Sequence, residues 1–474
     1  MNISKSSGSG RILILGGGIS GLSLAWFLHR RGERVEVLEA GERPGGTIRT
    51  EREDGYRVEL GPNSTLQKPG EPEDALGRLV SDLGLEGSLI EAAPMAAKRY
   101  VMRRGHLVSL PVSPPAFLLS SLFSPWAKLR LLKEPLVGWV DHEENLASFV
   151  RRRLGREFLD YAIEPFISGV YAGDPRNLSV QAAVPKIYDV EQRFGSLIVG
   201  GWMIDKKKRS MGAPRGRLVS FADGMEQLPA TLAARLPVGS VRCGTEVIAL
   251  KPVVGGGWEV EWRHSQGERG VEQADRVVLA MPAYAAAKVL FSSLPKASRV
   301  LSGIAYAPIV STALGYARKQ VAHPLDGFGF LLPRREQVRL LGALFSSSLF
   351  PGRAPEGKAL LTTFIGGAMD PEALTLPDGP LESWVRKDLA GCLGIVGDPE
   401  FSRFTRYPAA IPQYNVGHLG RIEAIDQALE THSGLYTRAN WRDGISVSDC
   451  VWNAERLAKR LTGEEEKKEG EDPA

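Results

Sequence analysis

The sequence contains few of the residues from which disulfide frameworks and metal sites are built. Of its 474 residues, three are cysteine and seven are histidine. Cys243, Cys392 and Cys450 are far apart and form no Cys-x-x-Cys pair, so we expect no disulfides and a reducing compartment, the cytoplasm. The histidines form no HExxH motif and no cluster with cysteine, and we therefore expect no metal site.

Long apolar runs and an excess of one charge are also missing. The 59 basic and 55 acidic residues give a formal net charge of +4, without the basic stripe of a nucleic-acid-binding protein. The N-terminus does not resemble a signal peptide, since the apolar run after the Ser/Gly-rich lead covers only residues 12–15. The longest uncharged stretch, residues 107–127, is interrupted by prolines, so a membrane-spanning helix is not expected.

Glycine, in contrast, is abundant, with 53 residues. This excess predicts many tight turns, or places where the backbone approaches a ligand closely. Hydrophobic residues make up 43% of the chain and charged residues 24%, which is the balance of a globular protein. At roughly 100–200 residues per domain, the length predicts two to four domains, or one domain interrupted by insertions.

The clearest local pattern is a β-α-β unit at the start of the chain. Residues 11–15 form an apolar strand, and Gly16-Gly17-Gly18-Ile19-Ser20-Gly21 follows it at once. Apolar residues then recur at helical spacing up to Gly32. Residues 34–39 alternate as a second strand, which ends at Glu39.

This unit predicts a dinucleotide site. Its glycines allow a tight turn, close approach to a diphosphate and packing of the helix on the sheet. The helix N-terminus presents free amides to the phosphates, and Glu39 can accept hydrogen bonds from a ribose hydroxyl. The unit alone leaves both NAD and FAD open as the nucleotide.

A second glycine pair follows the acid, in Glu39-Ala40-Gly41-Glu42-Arg43-Pro44-Gly45-Gly46-Thr47. At this point the sequence resembles the flavin-containing amine oxidase superfamily, whose members carry an acid, an arginine and a glycine pair in this arrangement. Residues 221–228, Glu246-Val247 and residues 274–282 match the same superfamily in order and spacing. The resemblance favours FAD.

Four further blocks narrow the resemblance: residues 60–64, 168–175, 342–351 and 411–418. With them, the chain is similar from Arg11 to about Leu461 to the oxygen-dependent protoporphyrinogen oxidases of haem and chlorophyll synthesis. That similarity implies oxidation of protoporphyrinogen IX to protoporphyrin IX by hydride transfer to FAD, with oxygen reduced to hydrogen peroxide. Because the cofactor would perform the difficult chemistry, no triad, metal cluster or carboxylate pair is needed.

Three other interpretations stay open. The same chemistry could act on coproporphyrinogen III, which has four propionates instead of two. The chain could also be another flavin amine oxidase-type oxidoreductase, such as a carotenoid-type enzyme, although the porphyrinogen-type blocks argue against this. A third interpretation is a flavin-binding protein that has lost its activity.

The resemblance also implies roles for individual residues. Asn63 would lie close to the isoalloxazine and the substrate, and Tyr407 stands where many relatives have a tryptophan near the flavin. The residues implied to surround FAD are Gly16, Gly17, Gly18, Ile19, Ser20, Gly21, Glu39, Ala40, Arg43, Gly46, Thr47, Gly61, Pro62, Asn63, Ser64, Val247, Tyr407, Ile445, Ser446 and Val447.

On the substrate side, Arg99 matches an arginine that pairs with a propionate, and a guanidinium suits a bidentate carboxylate contact. Arg99 and Asn63 are the candidate catalytic residues. Leu331 and Phe350 match apolar residues on either side of the ring, and Gly169 would leave room for it. Each of these residues also has a purely structural interpretation. Arg99 could be a solvated surface arginine, Leu331 and Phe350 could belong to the core, and Gly169 could end a helix.

The chain departs from the family pattern near its end. Ala439 replaces a glycine that precedes Asn440 in relatives, which would matter if the backbone there needs a positive φ. Ser448 also stands where glycine is frequent. The last predicted helix covers residues 449–461, with Asp449 as its cap.

The predicted fold is α/β, with a Rossmann-like FAD domain, an α+β substrate domain and an inserted helical domain that associates with a membrane. The FAD domain is discontinuous (1–76, 217–285 and 402–465), the substrate domain takes 77–97 and 286–401, the insertion takes 98–216, and 466–474 form a flexible tail. We expect no nucleic-acid partner, and the resemblance suggests a homodimer.

The membrane prediction concerns residues 114–126, whose apolar side chains could dip into the interface at the inner face of the cell membrane. Lys128, Arg130 and Lys133 would then meet anionic headgroups. The alternative is a loop and helix that fold onto the protein's own core.

Overall fold

The computed structural model describes residues 10–70, 74–210 and 216–464, with the backbone alone for 207–210. The lead 1–9 and the tail 466–474 lie outside the described residues. The strands are β1 (Ile12–Leu15), β2 (Val35–Leu38), β3 (Thr50–Glu53), β4 (Tyr56–Glu59), β5 (Thr65–Gln67), β6 (Leu89–Glu91), β7 (Tyr100–Arg103), β8 (His106–Ser109), β9 (Arg217–Phe221), β10 (Val241–Arg242), β11 (Thr245–Pro252), β12 (Trp258–His264), β13 (Arg269–Ala274), β14 (Arg276–Leu279), β15 (Tyr306–Ala317), β16 (Gly329–Leu331), β17 (Leu340–Leu344), β18 (Lys358–Gly366), β19 (Phe401–Pro412) and β20 (Leu435–Thr437).

The helices alternate with these strands in the first and last thirds of the chain and cluster in the middle. They are α1 (Ile19–His29), α2 (Ala75–Asp82), α3 (Pro114–Leu119), α4 (Pro125–Arg130), α5 (Leu146–Arg153), α6 (Arg156–Phe158), α7 (Glu164–Tyr171), α8 (Val180–Ala183), α9 (Pro185–Phe194), α10 (Leu197–Ser210), α11 (Gln227–Arg235), α12 (Ala283–Leu290), α13 (Pro295–Ser302), α14 (Ser346–Leu349), α15 (Asp378–Leu393), α16 (His418–Glu430), α17 (Asn440–Asp443) and α18 (Val447–Thr462).

The first of the two main sheets is parallel and has five strands, in the order β10-β2-β1-β14-β20. Strand β1 is apolar throughout because both of its faces are buried. Ile12 and Ile14 point into a core shared with α1, α2, α11 and α18. Leu13 and Leu15 point into a second core, which the β11-β12-β13 sheet and α12, α13 and α16 complete.

Helices α1 and α18 pack side by side and in parallel. Arg31, just after α1, pairs with Glu464, just after α18, at 2.8 Å. Both helices therefore begin at the carboxyl edge of the parallel sheet, where doubly wound folds bind their ligands.

The second main sheet has seven strands, in the order β19-β15-β18-β17-β16-β7-β8. Helix α15 covers one of its faces through Leu381, Val385 and Leu389.

The domain boundaries differ from the prediction in four places. Strands β7 and β8 join the seven-stranded sheet although residues 98–216 were assigned to the helical insertion, and β19 joins it although residues 402–465 were assigned to the FAD domain. Helices α2 and α13 pack on the parallel sheet although residues 77–97 and 286–401 were assigned to the substrate domain.

Between β8 and β9 the chain is helical, from α3 to α10. Its hydrophobic core contains the stacked rings of Phe123 and Phe158, whose centroids are 4.2 Å apart. A buried ion network of Glu134, Arg153 and Glu191 ties its helices together. Among the described residues, none of the helices has the length and apolar character needed to cross a bilayer.

Candidate functional site

The candidate site is a cleft at the carboxyl edge of the parallel sheet, and its floor is the glycine turn between β1 and α1. Gly16 has φ +118°, and a Cβ there would lie 2.6 Å from the Ala280 carbonyl oxygen. A Cβ at Gly21 would collide with the Gly16 carbonyl oxygen. At Gly18, in contrast, a Cβ would meet nothing within 4 Å. The protein's own packing thus requires Gly16 and Gly21, whereas Gly18 borders open space.

The start of α1 has the properties of an anion site. Its N-cap is Gly18, which offers no capping side chain, and its first turn carries no acidic residue. The free amides and the positive end of the helix dipole therefore face the open space at Gly18. Among the predicted FAD contacts, Ile19 and Ser20 form this first turn.

The second glycine pair lies directly against the first. The Gly45 amide donates to the Gly17 carbonyl at 2.7 Å, and a Cβ at Gly46 would lie 3.4 Å from the Gly18 Cα. The Arg43 guanidinium holds this loop closed by donating to the Gly46 carbonyl at 2.9 Å and the Ile48 carbonyl at 3.1 Å. Ala40 and Thr47 are exposed beside the same loop.

Glu39 lies at the end of β2, as predicted for a ribose-binding acid. Its carboxylate accepts hydrogen bonds from the Gly17 amide at 2.6 Å and the Gly41 amide at 2.8 Å. These two bonds hold the carboxylate beside the glycine turn. A dinucleotide whose diphosphate lay at Gly18 would present its ribose hydroxyls to this acid, so the residues present fit FAD.

The segment after β4 forms the next part of the wall. A Cβ at Gly61 would collide with the Thr47 carbonyl oxygen, so Gly61 passes close to the second glycine loop. Pro62 and Ser64, also predicted FAD contacts, follow it and are partly exposed. The Asn63 amide donates to the Gly61 carbonyl at 3.3 Å. Asn63 and Phe350 line one small cavity, together with Glu59 and Arg353. The structure thus brings together the predicted flavin-side Asn63 and the predicted substrate-side Phe350.

Tyr407 faces this cleft from the seven-stranded sheet. In β19, Phe404 packs on the α15 side and Arg406 pairs with Asp378 at the start of α15 at 2.6 Å. Since side chains alternate along a strand, Tyr407 lies on the opposite face. Burial raises the pKa of its hydroxyl, and the nearby Arg43 opposes this rise. Val247 is buried in the core behind the cleft.

The last predicted FAD segment, Ile445-Ser446-Val447, enters α18 next to the start of α1. The N-cap of α18 is Ser446, whose hydroxyl accepts from the Asp449 amide at 3.1 Å. The prediction of Asp449 as the cap was therefore wrong: Asp449 lies in the first turn. Ser448 is accommodated as well, because its hydroxyl lies 2.8 Å from that of Thr65.

Ala439 removes a concern raised by the sequence. Its φ is −152° and its ψ is 165°, an extended conformation that any residue adopts. The condition under which the missing glycine would matter, a positive φ, is not met.

The predicted substrate-side residues lie on helix α7 and the neighbouring sheet. A Cβ at Gly169 would lie 2.7 Å from Leu331 Cδ2, so the two residues are in contact. Phe166 and Val170, on the same side of α7, are exposed. Gly169, Phe166 and Val170 thus form an exposed apolar surface that a ligand could contact.

Arg99 lies at the edge of that surface. It precedes β7 by one residue, and Val101 pairs with Leu331 of β16, so alternation places Arg99 on the side of Leu331. Its guanidinium carbon lies 5.1 Å from the centre of the Phe328 ring. Within the described part of the chain the Arg99 side chain forms no hydrogen bond or ion pair.

Three polar groups near the cleft were not predicted, of which one is partly buried and two are buried. Glu164 on α7 accepts from the Arg334 amide at 3.2 Å, and burial raises its pKa to about 7. Tyr414 and His418 stack on each other in the block 411–418. The sequence shows the block, but nothing in it signals that these side chains are buried.

Comparison with known proteins identifies the family. The sequence matches the flavin-containing amine oxidoreductase family over residues 19–461. The chain belongs to this family. It is therefore an oxidoreductase with FAD as its cofactor, and the predicted cofactor and α/β fold are confirmed.

Relatives within the family carry two kinds of name. The chain is 34% identical to a chloroplast protoporphyrinogen oxidase of Nicotiana tabacum, over 95% of this chain and 85% of that protein. It is 31% identical to a coproporphyrinogen III oxidase of Bacillus subtilis, over 94% of this chain and 96% of that protein.

Among solved structures, a putative protoporphyrinogen oxidase from Exiguobacterium has a TM-score of 0.80 and 26% identity, with 97% of this chain and 100% of that chain covered. Reduced UDP-galactopyranose mutase has a TM-score of 0.70 at 17% identity, over 96% of each chain, which shows the fold alone.

Proposed function

We propose that this chain oxidises protoporphyrinogen IX to protoporphyrin IX, with oxygen as the final electron acceptor. The observation that carries the proposal is the apolar surface around Gly169 and Leu331, next to which the strand register places Arg99. A porphyrinogen is a broad apolar ring with carboxylates at one edge. Relatives that match nearly the whole chain are named as oxidases of porphyrinogens, which supports the same substrate class.

In this proposal the protein mainly binds FAD and the porphyrinogen and orients them relative to each other. The amides at the start of α1 and the carboxylate of Glu39 hold the cofactor's diphosphate and ribose. Bound FAD supplies the hydride acceptor. Leu331 packs against the macrocycle, while Asn63 and Tyr407 border the space between the macrocycle and the dinucleotide. Phe350 is buried, so it supports this wall as part of the core.

Arg99 is proposed to bind one propionate. A charge-assisted hydrogen bond contributes about 1.5–3 kcal/mol, so Arg99→Gln is expected to raise the KM for protoporphyrinogen IX by roughly 10- to 100-fold. The kcat and the flavin content are expected to stay near those of the unaltered protein, because the side chain does not touch the glycine turn.

Arg151→Gln is the matched control, since it removes an exposed guanidinium from α5, away from this surface. Steady-state fluorescence assays on both variants test the assignment. An unchanged KM in Arg99→Gln would contradict it, as would an equal rise in Arg151→Gln.

We further propose that the helical insertion rests on a membrane surface at the cytoplasmic side. Leu119 is 89% exposed and Trp126 is 79% exposed, and Leu118, Leu132, Leu136 and Trp139 are also exposed nearby. The predicted stretch 114–126 is divided, however, because Leu122 and Phe123 are buried in the core. Lys128 donates to the Leu118 carbonyl at 2.8 Å and so links α4 to the end of α3, where Leu118 and Leu119 are exposed.

Sedimentation with vesicles that contain anionic lipid tests the membrane proposal. Leu119→Asp combined with Trp126→Asp is expected to abolish co-sedimentation, because both side chains lie on the exposed surface. Val238→Asp, at an equally exposed apolar residue after α11, is the control and should leave it unchanged. Binding that survives the double substitution would contradict the proposal. The homodimer remains a prediction from the resemblance.

A further inference from the structure

The block 411–418 has no part in the site described so far, yet it contains a buried aromatic pair next to the FAD segment. Tyr414 is 2% exposed and His418 is 1% exposed. Their rings stack with centroids 4.3 Å apart and an interplanar angle of 13°. Burial lowers the pKa of His418 to about 4, so at neutral pH its ring is uncharged and forms a flat support for the Tyr414 ring.

The Tyr414 hydroxyl joins the two ends of α17. It donates to the Asn440 carbonyl, at the first residue of that helix, and accepts from the Gly444 amide at 2.8 Å. Gly444 immediately precedes Ile445-Ser446-Val447, which leads into α18. One hydroxyl thus fixes the backbone that determines where the FAD segment begins.

Tyr414 is itself held firmly from the other side, by the helical insertion. Its carbonyl accepts from the Ser179 amide at 2.8 Å. Two residues further on, the Val416 amide donates to the Asn177 carbonyl at 2.9 Å, and the Gly417 amide donates to Glu143 at 2.8 Å. The hydroxyl therefore reaches the FAD segment from a rigid base.

We propose that Tyr414 is a positioning residue for FAD, which acts by fixing the backbone of residues 440–447 against the cofactor. The proposal rests on FAD binding in the cleft described above. Tyr414 acts only through the segment it holds, so its removal is expected to change cofactor affinity.

Tyr414→Phe tests this directly, because it removes the hydroxyl and keeps the stacked ring. The matched control is Tyr171→Phe. Tyr171 is also buried, its ring lies 5.9 Å from that of Tyr414, and its hydroxyl donates to the Ala183 carbonyl at 2.9 Å rather than to the backbone of residues 440–447. Both variants lose one buried tyrosine hydroxyl from the same core.

The measurement is a titration of each apoprotein with FAD, followed by flavin fluorescence. Loss of a buried hydrogen bond that orders the segment is expected to weaken FAD binding about tenfold in Tyr414→Phe, and to leave Tyr171→Phe within about twofold of the unaltered protein. Equal affinities in all three proteins would overturn the proposal, and so would an equal loss in both variants.

Hydrogen exchange of the holoproteins provides a second, local readout that does not depend on activity. Backbone amides of residues 440–447 are expected to exchange faster in Tyr414→Phe and at the normal rate in Tyr171→Phe. Unchanged exchange in Tyr414→Phe contradicts the proposal even if its thermal stability falls. An unaltered protein that binds no FAD would instead contradict the cofactor site as a whole.

Discussion

At the scale of single residues, a backbone angle decides the significance of Ala439. The sequence raised the concern that a missing glycine weakens flavin binding, whereas the observed φ of −152° suits alanine. Restoring glycine by Ala439→Gly is expected to leave FAD affinity within about twofold and to lower the free energy of unfolding by about 1 kcal/mol, because glycine loses more chain entropy on folding. FAD titration and urea unfolding measure the two effects. Tighter FAD binding by the glycine variant would contradict this account.

The partly buried Glu164 gives a second residue-scale prediction, which concerns the dependence of stability on pH. Its pKa is raised to about 7 because burial disfavours the carboxylate, so the folded protein binds this proton more tightly than the unfolded chain. The stability that it contributes is fully present below about pH 4.5 and is lost as the pH rises towards 7.

Glu164→Gln keeps the neutral form at every pH and is expected to remove this loss. Between pH 4.5 and pH 8 the variant should gain up to about 3 kcal/mol relative to the unaltered protein. Urea unfolding at the two pH values measures the difference, and Glu372→Gln, at an exposed acid, is the control. The two proteins could instead differ in free energy of unfolding by the same amount at pH 4.5 and pH 8. That result would contradict the raised pKa of Glu164.

At the residue scale, the sequence indicates which residues lie together where they are close in the chain. Gly16, Gly21 and Glu39 follow one another within a single β-α-β unit, so spacing alone indicates their contacts. Glu164 and Tyr414 depend on burial by segments distant in the chain, and a sequence pattern does not report burial of a polar side chain.

At the scale of elements, the start of α10 is capped from a distance. The buried Glu134 carboxylate accepts from the Leu197 amide at 2.9 Å and pairs with Arg153 at 3.3 Å. Glu134→Ala leaves a buried guanidinium short of one partner and is expected to destabilise the helical insertion by about 3–5 kcal/mol. Glu134→Gln should cost less, because its amide oxygen still accepts from Leu197.

Hydrogen exchange resolved by segment measures this effect. Amides of α5 and α10 should exchange faster in Glu134→Ala, while those of β1 in the parallel sheet remain protected. Uniform loss of protection across the chain would contradict a local role for the network.

The elements that sequence reasoning placed incorrectly are those with long-range partners. Strand β7 pairs with β16, more than 200 residues further along the chain, so nothing near residue 100 indicates that it belongs to a sheet. The same holds for β19, which pairs with β15. The cap of α18 was misplaced for a local reason, since Ser446 and Asp449 are both good capping residues three positions apart.

At the scale of the whole molecule, the fold follows from a dinucleotide unit that the chain leaves and re-enters. The parallel sheet takes β1 and β2 from the start of the chain, β10 and β14 from its middle and β20 from its end. This returns the start of α18 to the start of α1, and the seven-stranded sheet closes the cleft from the other side. FAD and a flat substrate can therefore lie between two structures built from distant parts of the sequence.

The central claim is oxidation of protoporphyrinogen IX by bound FAD, and one experiment tests it most directly. The purified protein, with its visible spectrum recorded for flavin, is given protoporphyrinogen IX and coproporphyrinogen III in parallel in air, and porphyrin fluorescence and peroxide are followed. The account predicts rapid formation of protoporphyrin with peroxide and little product from the four-propionate substrate. Preference for coproporphyrinogen III would contradict the proposed substrate but preserve the chemistry, whereas a flavin-loaded protein that oxidises neither would contradict the account.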